Sequence, residues 1–172
     1  LPFFILTLLF VTNPSRPQSS QSQSSPVEVS VVIPCYNGAD TLSEQLESLA
    51  RQTWSGTWEV IVSDNGSNDA SVAVARRFEN RLPLKIVDAG QKQGQAYAYN
   101  QGVAASSGRY LLLCDADDVM HSGYVDAMVE ALREHPYVGG HEHHDKVNAE
   151  WLQARARTNN KIGGLIRSCH LP

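Results

Sequence analysis

The chain has 172 residues, 42% of them hydrophobic and 19% charged, with a formal net charge of -4. That length and composition suit one soluble globular domain with a real core. The acidic balance and the lack of any basic stripe argue against nucleic acid as a partner.

The opening run, Leu1 to Val11 (LPFFILTLLFV), is too short to span a bilayer. It has the apolar character of a signal-peptide core, yet no basic residue precedes it and no clear small-residue cleavage site follows. Asn13 to Pro26 is rich in Ser, Gln and Pro without apolar periodicity, the composition of a disordered linker. The expected organisation is a leader and linker over 1–26, a folded domain over 27–145 and an incomplete C-terminal segment over 146–172. Cys35, Cys114 and Cys169 are odd in number and widely spaced. Two of them lie in or beside apolar runs, which fits small buried thiols in a reducing, cytoplasmic compartment. Peripheral association with a membrane stays open.

From Val27 the pattern alternates. Val29 to Ile33 (VSVVI) is a β-branched run of strand length, stopped by Pro34. Thr41-Leu42-Ser43-Glu44 reads as a capping box for a helix with Leu42, Leu46, Leu49 and Ala50 on one face. Trp58 to Ser63 is a second strand, and a weakly amphipathic helix follows over 69–79 through Val72, Ala75 and Phe78. Leu84 to Val87 predicts a short third strand, and Gly94 to Ala105 a helix. Tyr110 to Cys114 is an apolar strand. Ser122 is placed to cap a further helix whose Val125, Met128, Val129 and Leu132 fall at i, i+3, i+4 and i+7. Tyr137-Val138 is expected to begin one more strand, and beyond Gly140 only Ala149 to Ala156 looks helical. Strands alternating with helices at this spacing predict an α/β, Rossmann-like, mostly parallel sheet with helices on both faces.

The strand at Tyr110 ends abruptly in Asp115-Ala116-Asp117-Asp118. Three carboxylates so close repel and raise one another's pKa unless something positive sits among them. A hard divalent cation such as Mg²⁺ or Mn²⁺, which commonly brings phosphate ligands with it, meets that need. The bland alternative is a solvated acidic turn that merely stops the strand. Against it, the carboxyl ends of strands in such sheets are where ligands bind. Those ends supply three clusters: Pro34-Cys35-Tyr36-Asn37-Gly38, Asp64-Asn65-Gly66-Ser67 and Asp115-Ala116-Asp117-Asp118. A metal-bound diphosphate could rest on the third, an amide or carboxylate at the second could bond a base or ribose, and Tyr36 could stack on a base. Neither a GxGxxG nor a GxxxxGK[ST] loop is present, so phosphates would be held by metal rather than by a glycine cradle.

The blocks VSVVIPCYNGADTLSEQLESLARQTW, EVIVSDNGSNDAS, GQAYAYNQGV and YLLLCDADD together resemble the family 2 glycosyltransferases of GT-A fold, from about Val29 to Gly140. The resemblance implies transfer of a sugar, usually with inversion, from a nucleotide-diphosphate donor to a glycan, lipid or other acceptor, with Mg²⁺ or Mn²⁺. It implies that Pro34, Tyr36 and Asn37 shape the nucleotide pocket together with Asp64, Asn65 and Ala116. Asp115 would face ribose or metal, Asp117 would be the principal metal ligand, and Asp118 would support that ligand or the sugar. Gly94, Asn100 and Gly102 match the block that packs beneath the donor site.

Three departures from the family pattern stand out. Asn65 replaces an aspartate that commonly accepts from the base, and Tyr99 replaces an arginine before Asn100. No Glu-Asp pair that could supply the general base is found in the tail, so no catalytic base is assigned. His141-Glu142-His143-His144-Asp145 is read as a solvated loop, because adjacent residues on an extended segment face opposite ways. Trp151 is read as core packing, and Arg155 and Arg157 as a solvated face. The alternative to a working transferase is a truncated, non-catalytic nucleotide-sugar-binding chain. A receiver-type signalling domain would need its acidic pair where Pro34-Cys35-Tyr36 stands. A nucleotidyltransferase would need a Gly- and Arg-rich loop at that same place.

Overall fold

The computed structural model describes residues 26–140. They belong almost wholly to the first of two compact units, Leu1–Val138. The expectations for the opening run, for His141 to Asp145, for the helix at Ala149 to Ala156, for Trp151, Arg155 and Arg157, and for Cys169 lie outside the described residues. No helix among the described residues is long and apolar enough to cross a membrane.

The element order is β1 (Val29–Cys35), α1 (Leu42–Ala50), β2 (Trp58–Asp64), α2 (Ser71–Arg76), β3 (Leu84–Asp88), α3 (Gln95–Ala105), β4 (Tyr110–Leu113) and α4 (Tyr124–Glu134). The strands form one parallel sheet in the order β3-β2-β1-β4. The chain therefore steps outward from β1 to β3, then crosses back past β1 to lay down β4. Right-handed crossovers require the helix of the reversed step to lie on the opposite face. That is the arrangement found: α3 shares a core with Val32 and Ile61 through Tyr99 and Val103. The larger core gathers Leu42, Leu46 and Leu49 of α1, Val74 and Ala75 of α2 and Val125, Met128, Val129 and Leu132 of α4 on the other face.

Burial on both faces explains why β1 and β4 read as unbroken apolar runs. Val29, Val31 and Ile33 point into the larger core, while Val32 points toward α3. The approach of α3 depends on Gly102, where any Cβ would collide with the Val32 side chain.

Four local expectations are corrected. Thr41 has a helical backbone and makes no side-chain cap; its Oγ1 donates to Gly38 O at 3.4 Å. The turn already begins at Gly38, whose carbonyl accepts from Thr41 N and Leu42 N. Capping has moved upstream, where Gly38 N donates to Ser71 Oγ and Ala39 N to Asp69 Oδ2. In α2 the buried face runs through Ser71, Val74 and Ala75, continued by Phe78 in the following turn, with Val72 only half-buried. The helix also stops at Arg76, since Arg77, Phe78 and Glu79 close tighter i→i−3 turns. Ser122 does not cap α4; Gly123 occupies that position, and the Ser122 carbonyl accepts from Thr53. Finally, Tyr137-Val138 forms no strand among the described residues. The chain leaves α4 extended at His135, Pro136 has no amide hydrogen for a ladder, and Tyr137 is 64% exposed.

Candidate functional site

A sheet whose order reverses beside β1 has a topological switch point between β1 and β4, and ligands of open α/β sheets bind outside the carboxyl ends there. A cleft of about 550 Å³ opens at that place, a volume in the range of small-molecule sites. It is lined by Pro34 near the end of β1 and by Tyr36, Asn37 and Gly38 after it, by Asn65 after β2, by Gln93, Gly94, Gln95 and Ala98 at the start of α3, and by Asp115, Ala116 and Asp117 after β4. Thr41 and Cys35 complete the lining. Of the residues picked out from sequence, Asp64 and Asp118 stand outside the lining, as do Asn100 and Gly102 further along α3. The Asp64 carboxylate accepts from Ser67 N at 3.3 Å and shapes the turn through Gly66.

The β1–α1 loop is fastened to the β2–α2 loop. Asn37 adopts a left-handed backbone (φ 50), which asparagine tolerates better than most residues. Its Oδ1 accepts from Asn68 N at 2.9 Å and its own N donates to Ser67 Oγ at 2.9 Å. Tyr36, half of whose surface is exposed, is thus presented on a braced loop. Cys35 is 2% exposed, and burial followed by its surrounding carboxylates pushes the thiol up despite a bond to Ser71. It is an inert wall at neutral pH.

Asn65 is only 3% exposed, and its amide is spent inside the protein. Nδ2 donates to Ala89 O at 2.6 Å and Lys92 O at 2.8 Å, while Oδ1 accepts from Gly94 N at 2.7 Å. A carboxylate here could make only the last of these bonds. Asparagine at this position therefore moulds the segment between β3 and α3, a role that reading the sequence as base recognition did not foresee.

The three acids after β4 have different environments. Asp118 turns back, its Oδ2 accepting from Asp115 N at 2.9 Å. Asp115 Oδ1 accepts from Gln95 Nε2 at 2.7 Å and from Tyr99 Oη at 2.8 Å. Asp117 is exposed, and its carboxylate has no hydrogen bond or ion pair among the described residues. Burial, then the Asp115 carboxylate, pushes the Tyr99 phenol far above its ordinary value. Its hydroxyl remains a donor at any working pH. Gln95 and Tyr99 sit at i and i+4 of α3, one above the other on the same face. That i, i+4 spacing is the signal in the sequence for this pair, one that a comparison of Tyr99 with the family's arginine alone does not show.

Among the described residues, the lining carries two carboxylates and neither Lys nor Arg. No group of three or more His, Cys, Asp or Glu among the described residues could hold a metal by itself. A cation here would complete its shell with water and ligand oxygens, the habit of Mg²⁺ and Mn²⁺.

Residues 30–171 match the family model described as glycosyl transferase family 2. The chain belongs to that family. The match continues past Gly140, to which the resemblance read from the sequence extends. Among curated relatives, the uncharacterized glycosyltransferase YibD of Escherichia coli strain K12 is 32% identical over 72% of this chain and 34% of its own length. The PGL/p-HBAD biosynthesis glycosyltransferase of Mycobacterium bovis is 34% identical over 78% of this chain and 50% of its own. The chain thus spans about a third to a half the length of these relatives. Among solved structures, S. aureus TarS with UDP-GlcNAc superposes with a TM-score of 0.57 at 27% identity, covering 63% of this chain and 32% of that one. The mannosyltransferase PcManGT of Pyrobaculum calidifontis, with GDP-Man and Mn²⁺, gives 0.55 at 25% identity, covering 66% and 35%.

Proposed function

We propose that this chain forms the donor-binding part of a glycosyltransferase that moves a sugar from a nucleoside diphosphate to an acceptor, with Mg²⁺ or Mn²⁺ bound at the acidic turn. The carrying observation is the cleft at the β1/β4 switch point, whose lining among the described residues has two carboxylates and neither Lys nor Arg. An unassisted diphosphate would be repelled there, whereas a divalent ion reconciles the two charges. Relatives of the same family, and solved neighbours holding UDP-GlcNAc or GDP-Man with Mn²⁺, support the reading.

In this reading Asp117 is the metal ligand, since its carboxylate has no partner among the described residues. Asp115 Oδ2 takes a donor hydroxyl or one coordination position. Tyr36 offers its face to the base, and Pro34, Asn37 and Ala116 shape the surrounding wall, with Asn65 supporting it from behind. Bound metal would neutralise charge that develops on the departing diphosphate. The chain's own residues orient the donor and exclude water along the wall at Gly94 and Ala98.

Calorimetry with UDP, GDP and dTDP, with and without Mn²⁺, tests the proposal. Binding is expected only with metal and is expected to vanish in Asp117→Ala. Metal-independent binding, or no binding of any of the three, overturns it.

A further inference from the structure

We propose that Tyr99, with Gln95, is a positioning residue that commits one oxygen of Asp115 to the protein and leaves Oδ2 as the single oxygen Asp115 offers a ligand. Both donors converge on Oδ1, at 2.8 Å and 2.7 Å. A carboxylate oxygen has two lone-pair sites in its plane, so two hydrogen bonds saturate it. Oδ1 has nothing left for a hydroxyl or a cation, and a bidentate grip by Asp115 on a metal is ruled out while both bonds persist.

The donors are themselves fixed. The Tyr99 ring, 8% exposed, packs with Val32 and Ile61 against the sheet. Its helix is seated by the close approach at Gly102 and tied at its first turn by the bond from Gly94 N to Asn65 Oδ1. A hydroxyl held by a packed ring on a seated helix locates its acceptor better than a solvated side chain would. Tyr99 does not reach the cleft surface, which Gln95 and Asp115 line; its influence on a ligand passes through Asp115.

As far as the ligand is a nucleoside diphosphate, the inference rests on the function proposed above, and the experiment separates the two. UDP binding with Mn²⁺ would be titrated for the full chain, for Tyr99→Phe, Gln95→Ala and Asp115→Ala, and for the double variants. Thermal unfolding would be recorded for each. Tyr99→Phe keeps the ring and is expected to weaken UDP roughly tenfold, the usual scale for a residue that orients a ligating group. In the Asp115→Ala background the same substitution is expected to change nothing further, the signature of coupling through one group. An equal loss in both backgrounds, or no loss in either, overturns the proposal.

A second readout needs no nucleotide. The Tyr99 hydroxyl proton, followed by the deuterium isotope effect on its ring ¹³Cζ, should exchange slowly in the parent and fast in Asp115→Ala. If the parent binds no nucleoside diphosphate, the donor-site reading falls and this measurement alone decides the positioning role. Slow exchange lost on removing Asp115 sustains it; fast exchange in the parent overturns it whatever the nucleotides do.

Discussion

Asn65 Oδ1 accepts from Gly94 N at 2.7 Å, joining the turn after β2 to the first turn of α3. With the bonds from Nδ2 to Ala89 O and Lys92 O, one buried amide fixes a whole wall of the cleft. Asn65→Asp would leave two carbonyls facing a carboxylate, losing both donors and adding like-sign repulsion. A loss of about 2–4 kcal/mol is expected, measured by urea unfolding. Asn65→Ala, which removes the bonds without the charge, should cost less. The reverse order would show that the amide is not a clamp.

The opposite end of the sheet makes a pH-dependent contribution. Glu59 is 4% exposed, and burial favours its neutral form. Lys85 at 2.5 Å, Ser30 at 2.7 Å and the Ser107 amide at 2.6 Å outweigh that and hold its carboxyl below the ordinary value. A depressed folded-state value means the stabilisation is complete above the unfolded glutamate value of about 4.3 and lost as pH falls through the lower folded one. Glu59→Gln should therefore melt below the parent at pH 7, with the gap narrowing as pH falls below about 4. A gap that stays constant down to pH 3 would contradict this.

Gly102 and Val32 form a complementary pair. Gly102→Ala is expected to destabilise by about 1–3 kcal/mol through overpacking. Val32→Ala should recover part of that loss in the double variant, read by denaturant unfolding and analysed as a cycle. Additive losses would place the strain elsewhere.

Tyr36→Ala is expected to weaken UDP binding about five- to tenfold, the scale of one aromatic stacking contact. Tyr36→Phe should bind like the parent, because no hydrogen bond of the Tyr36 hydroxyl is involved. Calorimetry decides, and a comparable loss in both variants would point to the hydroxyl instead.

The architecture was legible because a doubly covered parallel strand must be apolar throughout, and Val29 to Ile33 and Tyr110 to Leu113 are. The convergence of Pro34, Tyr36, Asn37, Asn65, Asp115, Ala116 and Asp117 on one cleft followed from their common place at strand ends. What escaped was set by tertiary contacts. The Thr41 cap yielded to Ser71 and Asp69 from another loop. Asp64 and Asn65, neighbours in sequence, went to a turn and to a clamp respectively, because alternate residues leave a strand on opposite sides. The strand order β3-β2-β1-β4 leaves no mark in local periodicity.

That order has a kinetic consequence. Gly108 N donates to Ser30 Oγ across 78 positions of sequence, and β1 meets β4 beside this bond. Closing so long a loop carries an entropic cost that local contacts do not repay in advance. The β1–β2–β3 half pairs over shorter distances and can assemble first. The cleft between β1 and β4 comes into being only with the most distant pairing of the sheet, so during synthesis the chain is without this cleft until the acidic turn itself has emerged.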